Sequence, residues 1–180
     1  MRYYSKTYLN LSSQGLTELP DDIHLYTNLI DLHCNNNLLT SLPENLPSSL
    51  QFLDCSHNQL TYLSDNLPSS LKVLHCKYNQ LTFLPEILPP LLRSLVCYNN
   101  KLTSLPENLP NSIIALRIMN NKITDLPYNL PSSLQPDHPN NQLDCWGNPF
   151  YDELDYKLTI ETLPRFIEER NSKMFDYVLK

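Results

Sequence analysis

The sequence predicts a solenoid of stacked coils carrying a parallel β-sheet along one side, and three observations predict it. Residues 29–133 are five copies of one unit, opened by Leu29, Leu50, Leu71, Leu92 and Ile113, each 21 residues after the last. A fixed period of this length is the signature of repeat architectures, in which each coil buries its apolar edge only against its neighbours. Around Leu32, Leu53, Leu74, Leu95 and Leu116 apolar and polar residues alternate, the period of a short strand. Each strand is closed by an asparagine (Asn37, Asn58, Asn79, Asn100, Asn121), and most units then carry two prolines four apart, as at Pro43 with Pro47 and Pro85 with Pro89. No uninterrupted α-helix accommodates that proline spacing.

The elements follow in order. Residues 1–28 form an N-terminal cap and a variant repeat. Residues 1–8 should make an edge strand or turn, and Leu9–Asn10–Leu11 begins a copy whose outer arc, residues 21–28, is two residues longer than the later ones. Asp21 or Asp22 is placed to cap a helical turn there. In the five regular repeats of 29–133, the asparagines should turn inward and bond the backbone of the bend and of the next coil, since buried backbone groups need partners. The outer side should be extended, polyproline-like or 3₁₀. Helices pack about 8–10 Å apart and strands about 4.8 Å, so extended outer arcs match the strand spacing and imply a gently curved horseshoe.

Residues 134–150 read as a degenerate closing repeat. Asp137 falls where leucine is expected, Pro139 where cysteine is, and Asn141 and Leu143 return one residue early. The regular sheet is therefore expected to fail here, with Trp146 and Phe150 covering the open end of the leucine stack. Together residues 1–150 form one repeat domain. Residues 151–180 read as a C-terminal helical cap, with Phe166, Ile167, Met174, Phe175 and Val178 at helical spacing and Pro164 suited to a first turn.

Composition excludes several function classes. The net charge is −6 across 180 residues, so the basic footprint of a nucleic-acid binder and a polybasic membrane patch are both missing. No run of about 18 apolar residues could span a bilayer. The first residues, Met1-Arg2-Tyr3-Tyr4-Ser5-Lys6, lack the apolar stretch of a secretory signal, and a cytoplasmic address is the expectation. Cys34, Cys55, Cys76 and Cys97 share one column that Ile118 continues. They read as small buried hydrophobes, and side chains stacked in parallel suit disulfide geometry badly.

The unit C-x-x-N-x-L-T-x-L-P-x-x-L-P-x-S, seen with some slippage at Cys55, Cys76 and Cys97, resembles the short bacterial-type leucine-rich repeats of effectors that enteric pathogens inject into host cells. Similar arrays, rich in asparagine and tyrosine, occur in giant viruses of amoebae. The resemblance covers about residues 9–150. It implies a leucine-rich repeat horseshoe that binds a protein, with a host protein and the host cytoplasm in view. In many injected effectors the repeats serve a separate ubiquitin-ligase domain with a catalytic cysteine. The sequence after residue 150 is too short for that domain, so ligase activity is not carried over.

Strand residues between the buried leucines should line the concave face. The candidate partner-binding residues there are Asp31, His33, Phe52, Asp54, His57, Val73, His75, Lys77, Tyr78, Val96, Tyr98 and Arg117. They vary from copy to copy while the leucine frame does not. Aromatic anchors within a polar rim fit an interface better than a catalytic pocket. His33, Asp54 and His75 form a ladder in which the aspartate could bridge two imidazoles and favour their protonated forms; a metal is not expected on so flat a column. His33–Cys34 and His75–Cys76 are adjacent in sequence and so point to opposite faces, which separates each pair beyond the reach Cys–His catalysis needs. No catalytic residue, metal or cofactor is expected. The expectation is a non-catalytic protein-binding module, monomeric, with a self-associating scaffold as the alternative and a metal-binding accessory protein as a third reading.

Overall fold

A computed structural model describes residues 3–134 and 142–152. Seven three-residue strands form one parallel sheet in sequence order: β1 (Tyr8–Asn10), β2 (Asp31–His33), β3 (Phe52–Asp54), β4 (Val73–His75), β5 (Ser94–Val96), β6 (Ala115–Arg117) and β7 (Gln142–Asp144). The register never slips. Leu9, Leu32, Leu53, Leu74, Leu95, Leu116 and Leu143 pair in one row, flanked by the rows beginning at Tyr8 and Asn10. Register is held because a one-residue slip would turn every leucine out of the core.

The core is a set of aliphatic columns. Leu32, Leu53, Leu74, Leu95 and Leu116 are fully buried, as are Leu29, Leu50, Leu71, Leu92 and Ile113 that open the coils, and Leu39, Leu60, Leu81, Leu102 and Ile123 beyond the asparagine. Burying each such side chain contributes about 1.5–3 kcal/mol. The cysteines fill a further column and are free and buried. Burial, with a smaller contribution from Asp54, pushes the Cys34 thiol up to about 12. Cys55 is raised well above its ordinary value by burial, and Cys76 chiefly by its hydrogen bond with Cys97 and then by burial.

The asparagines turn inward as the sequence requires. In Asn79 the side-chain oxygen accepts the Leu60 N–H at 3.0 Å, while the amide nitrogen donates to the carbonyls of Cys55 (3.0 Å) and Cys76 (3.1 Å). Asn58, Asn100 and Asn121 repeat this pattern one coil away at each step. One amide thus satisfies backbone groups of its own coil and of the coil before it. On the outer side the N–H groups of Leu50, Leu71, Leu92, Ile113 and Leu134 each donate to the carbonyl of the proline three residues earlier. That turn brings the chain back into the core. In the first coil Tyr26 takes the place of the proline, accepting from Leu29.

Four expectations are corrected. The sheet does not fail in the sixth copy: Leu143 pairs with Leu116 in register. Leu143 lies 27 positions after Leu116, six more than the repeat, an insertion that the fixed period cannot accommodate. The asparagine of this coil is Asn148, not Asn141; it is fully buried and accepts from Ile123 while donating to Ile118 and Cys145. The 3₁₀ turn Asp21–Leu25 has Pro20 at its cap position with no side-chain cap, and Asp22 instead accepts the Tyr4 hydroxyl at 3.0 Å. Phe150 is buried against the core, but Trp146 stays half-exposed, so of these two rings it is Phe150 that covers the leucine stack. The helix expected in residues 162–179 lies outside the described residues.

Candidate functional site

Because the central residue of each strand points into the core, its two neighbours face outward on the sheet. The first row runs Tyr8, Asp31, Phe52, Val73, Ser94, Ala115, Gln142, and the second Asn10, His33, Asp54, His75, Val96, Arg117, Asp144. Asp31, His33, Phe52, Asp54, Val73 and His75 are half-buried within this surface. Val96 is buried and offers a partner little area. Arg117 lies 3.2 Å from Asp144, so it is already paired at the C-terminal end of the row.

The rings at the N-terminal end pack on one another across strands. Tyr8 meets His33 at 5.3 Å between centroids, His33 meets Phe52 at 4.9 Å, and Phe52 meets His75 edge-on at 5.3 Å. The expected Asp54 bridge is not what orders these imidazoles. Asp54 accepts the backbone N–H of Ser56 at 3.0 Å, while Phe52 lies against both rings. Burial lowers the His75 pKa; Asp54 opposes the shift, and Lys77, Arg117 and His33 add to it. The protonated form of His75 is therefore disfavoured, which reverses the sequence expectation. Among the described residues no three His, Cys, Asp or Glu side chains converge on a point that could hold a metal.

The position just before each inward asparagine carries the most unusual backbone. Asn36, His57, Tyr78, Asn99 and Asn120 all have φ between 51° and 56°, and Gly147 has φ 70°. This left-handed conformation suits glycine and asparagine and penalises bulky residues. The first coil has Ser13 at the equivalent position (φ 57°), four coils carry asparagine or glycine, and of the two that carry rings Tyr78 is the clear departure, since histidine is tolerated there. The two rings stack: His57 on Tyr78 with centroids 4.3 Å apart and planes 17° apart. Tyr78 in turn meets Tyr98 edge-on at 5.4 Å, and the Lys77 ammonium sits 5.4 Å from the centre of the Tyr98 ring. His57 and Tyr78 are exposed, and Lys77 and Tyr98 half-buried.

Of the candidate residues, the structure brings His33, Phe52 and His75 together with Tyr8 along the strands of β1–β4, and His57, Tyr78, Lys77 and Tyr98 together along the bend after β3–β5, as two aromatic files. Trp146, which had been assigned to the end cap, occupies the column of Lys77, Tyr98 and Met119 and is 51% exposed. Its membership was visible only through Asn148, since the insertion hides the phase. Tyr8, 51% exposed at the other end, was missed because its coil was phased from Leu9 onward.

A family model described as Leucine Rich Repeat matches residues 49–71, one coil of the stack. The same coil recurs in register across seven strands. The chain is a leucine-rich repeat protein. Its repeats are of the bacterial-effector type. It is similar to the leucine-rich repeat domain of a Shigella effector, with 35% identity and a TM-score of 0.62, over 68% of this chain and 53% of that one. It is similar to YopM from Yersinia enterocolitica, with 40% identity and a TM-score of 0.65, over 71% of this chain and 27% of that one. It is also similar to YopM, a leucine-rich effector protein from Yersinia pestis, with 34% identity and a TM-score of 0.65, over 79% of this chain and 37% of that one. The leucine-rich repeat chain thus spans about half the length of the first of these and about a quarter to a third of the others. No curated protein matches the sequence. A leucine-rich repeat fold is typical of protein–protein interaction modules.

Proposed function

We propose that this leucine-rich repeat protein is a non-catalytic module that binds a partner protein on its concave face, in the cytoplasm, which for an effector-type chain includes the cytoplasm of a host. The observation that carries the reading is the stacked pair His57–Tyr78. Two adjacent coils hold rings in a left-handed backbone conformation that the other coils fill with serine, asparagine or glycine, and a strained position such as that of Tyr78 is of the kind that concentrates at functional sites. Around the pair, Phe52, Val73, His75, Lys77 and Tyr98 supply the apolar and cationic surface, with Asp31, His33, Asp54 and Arg117 toward the ends. Seven strands about 4.8 Å apart give a face roughly 30 Å long, sufficient for a standard interface near 800 Å² per partner. Rigid aromatics at the centre with charges at the rim match the anatomy of such interfaces. Acidic composition and the lack of a basic stripe argue for protein over nucleic acid.

The test is comparative capture with the wild-type chain and with a Tyr78→Asn, Tyr98→Ala variant, followed by titration of each captured protein against both. The expected result is a partner whose affinity for the variant falls by roughly tenfold or more. Equal titration curves for every captured protein would refute the concave reading.

A further inference from the structure

One coil breaks the polar rule of the outer side. At the position of Ile87 the other regular repeats carry Asn45, Asn66, Asn108 and Asn129, and at the position of Leu91 they carry Ser49, Ser70, Ser112 and Ser133. Those serines are structural. Each hydroxyl donates to a main-chain carbonyl of the preceding coil, as Ser70 does to Leu50 at 2.6 Å and Ser112 to Leu92 at 2.6 Å. Leu91 cannot donate, so this coil forgoes a hydrogen bond its neighbours make. The loss brings no gain in the core, because Ile87 is 82% exposed, Leu91 51% and nearby Phe83 55%. Ile87 and Pro90 form one wall of an open groove of about 420 Å³, whose other wall is Asn108, Asn111 and Ser112 of the next coil.

We propose that this outer patch is a homodimer interface whose occupant is a second copy of the same chain, seated about a two-fold axis. Two observations select that occupant. Along the chain an exposed acid, Glu86, directly precedes Ile87, and an exposed base, Arg93, follows Leu91 at the start of the next coil. A two-fold axis through the patch reverses that order on the second copy and sets Glu86 against its Arg93, and the converse, as a self-complementary surface requires. The coil also carries β4, the fourth of the seven strands of the described residues, so the contact falls mid-stack on the outer side and leaves both concave faces open. Leu91 of each copy fills the groove beside Ile87 of the other, where both exposed apolar side chains are removed from water.

The repeat supplies its own control variants. Ile87→Asn with Leu91→Ser installs what the other regular coils carry, so the fold is retained and melting should hold or rise. Sedimentation equilibrium on the full chain should show wild type in monomer–dimer exchange and this double variant monomeric. Glu86→Arg and Arg93→Glu should each weaken association by roughly tenfold or more, and their combination should restore it. A wild-type chain that stays monomeric at millimolar concentration, or a double variant that dimerises as well as wild type, overturns the proposal. So does concentration-independent amide protection of the coil in a monomer, which would give the groove to residues 153–180 of the same chain.

Discussion

At the scale of single residues, the chain shows how one repeat position can serve either stability or contact. Asn79 serves stability alone. Its amide satisfies two carbonyls and one N–H buried between coils, so Asn79→Ala should destabilise the protein by about 1–3 kcal/mol, read by urea unfolding; an unchanged midpoint would mean the ladder is dispensable. Its neighbour Tyr78 does the opposite. A left-handed φ of 54° costs a tyrosine about 1 kcal/mol or more, while its stack on His57 returns about 0.5–1.5 kcal/mol. The two effects nearly cancel. Tyr78→Asn should therefore leave stability within about 1 kcal/mol of wild type, because it loses both. Tyr78→Ala loses the stack but keeps the backbone penalty, and should be about 1 kcal/mol less stable than the asparagine variant. Equal stability of the two would show that the backbone there is not strained. His75 adds a pH dependence. Burial lowers its pKa in the folded protein, so its neutral form is the one the fold favours. That stability is complete above the ordinary imidazole value of about 6.5 and is lost as pH falls from there through the lowered folded value. His75→Gln should flatten this part of the unfolding profile, and an unchanged slope would place the titration elsewhere.

At the scale of elements, the strands, inward asparagines and proline turns of the five regular coils were legible, because each recurs at one spacing and has a single physical solution. The last coil was not. A fixed 21-residue count from Leu116 lands on Asp137, whereas the strand that pairs with it is centred on Leu143. Counting back from Gly147–Asn148 would have found it, since only a left-handed residue followed by an inward amide fits there. Gly147 is more than a good fit. A Cβ at this site would collide with the Asn120 side chain of the coil before it, and φ 70° already disfavours one. Gly147→Ala should therefore loosen β7 and lower the melting temperature, while Gly15→Ala, with open space around its Cβ, should show only the backbone penalty and change it less. The concave columns were likewise legible, since alternation fixes which residues face out. The aromatic contacts were not. Asp54 stood between two histidines in sequence register, yet ring packing on Phe52 and the Ser56 N–H took the roles that charge had been expected to fill.

At the scale of the molecule, stability is a chain of neighbour contacts with no central core, so it should vary along the stack. The buried thiols sit along that axis as reporters. Burial, with a smaller contribution from Asp144, pushes Cys145 up to about 12, the same value Cys34 reaches, so alkylation of either thiol is expected to follow opening of its own coil. Cys145 lies beside β7, which among the described residues is the last strand of the sheet, whereas Cys55 and Cys76 lie beside strands paired on both sides. Residue-resolved alkylation under native conditions should therefore label Cys145 well before Cys55 and Cys76, with Cys55 and Cys76 reacting together at the rate of global opening. Identical rates for Cys145 and Cys76 would show that the stack opens as one unit. A dimer seated on the middle coil adds a discriminating twist, because it holds the Cys76 coil closed without touching the end. Raising protein concentration should slow labelling of Cys76 and leave Cys145 unaffected, and Ile87→Asn with Leu91→Ser should remove that dependence.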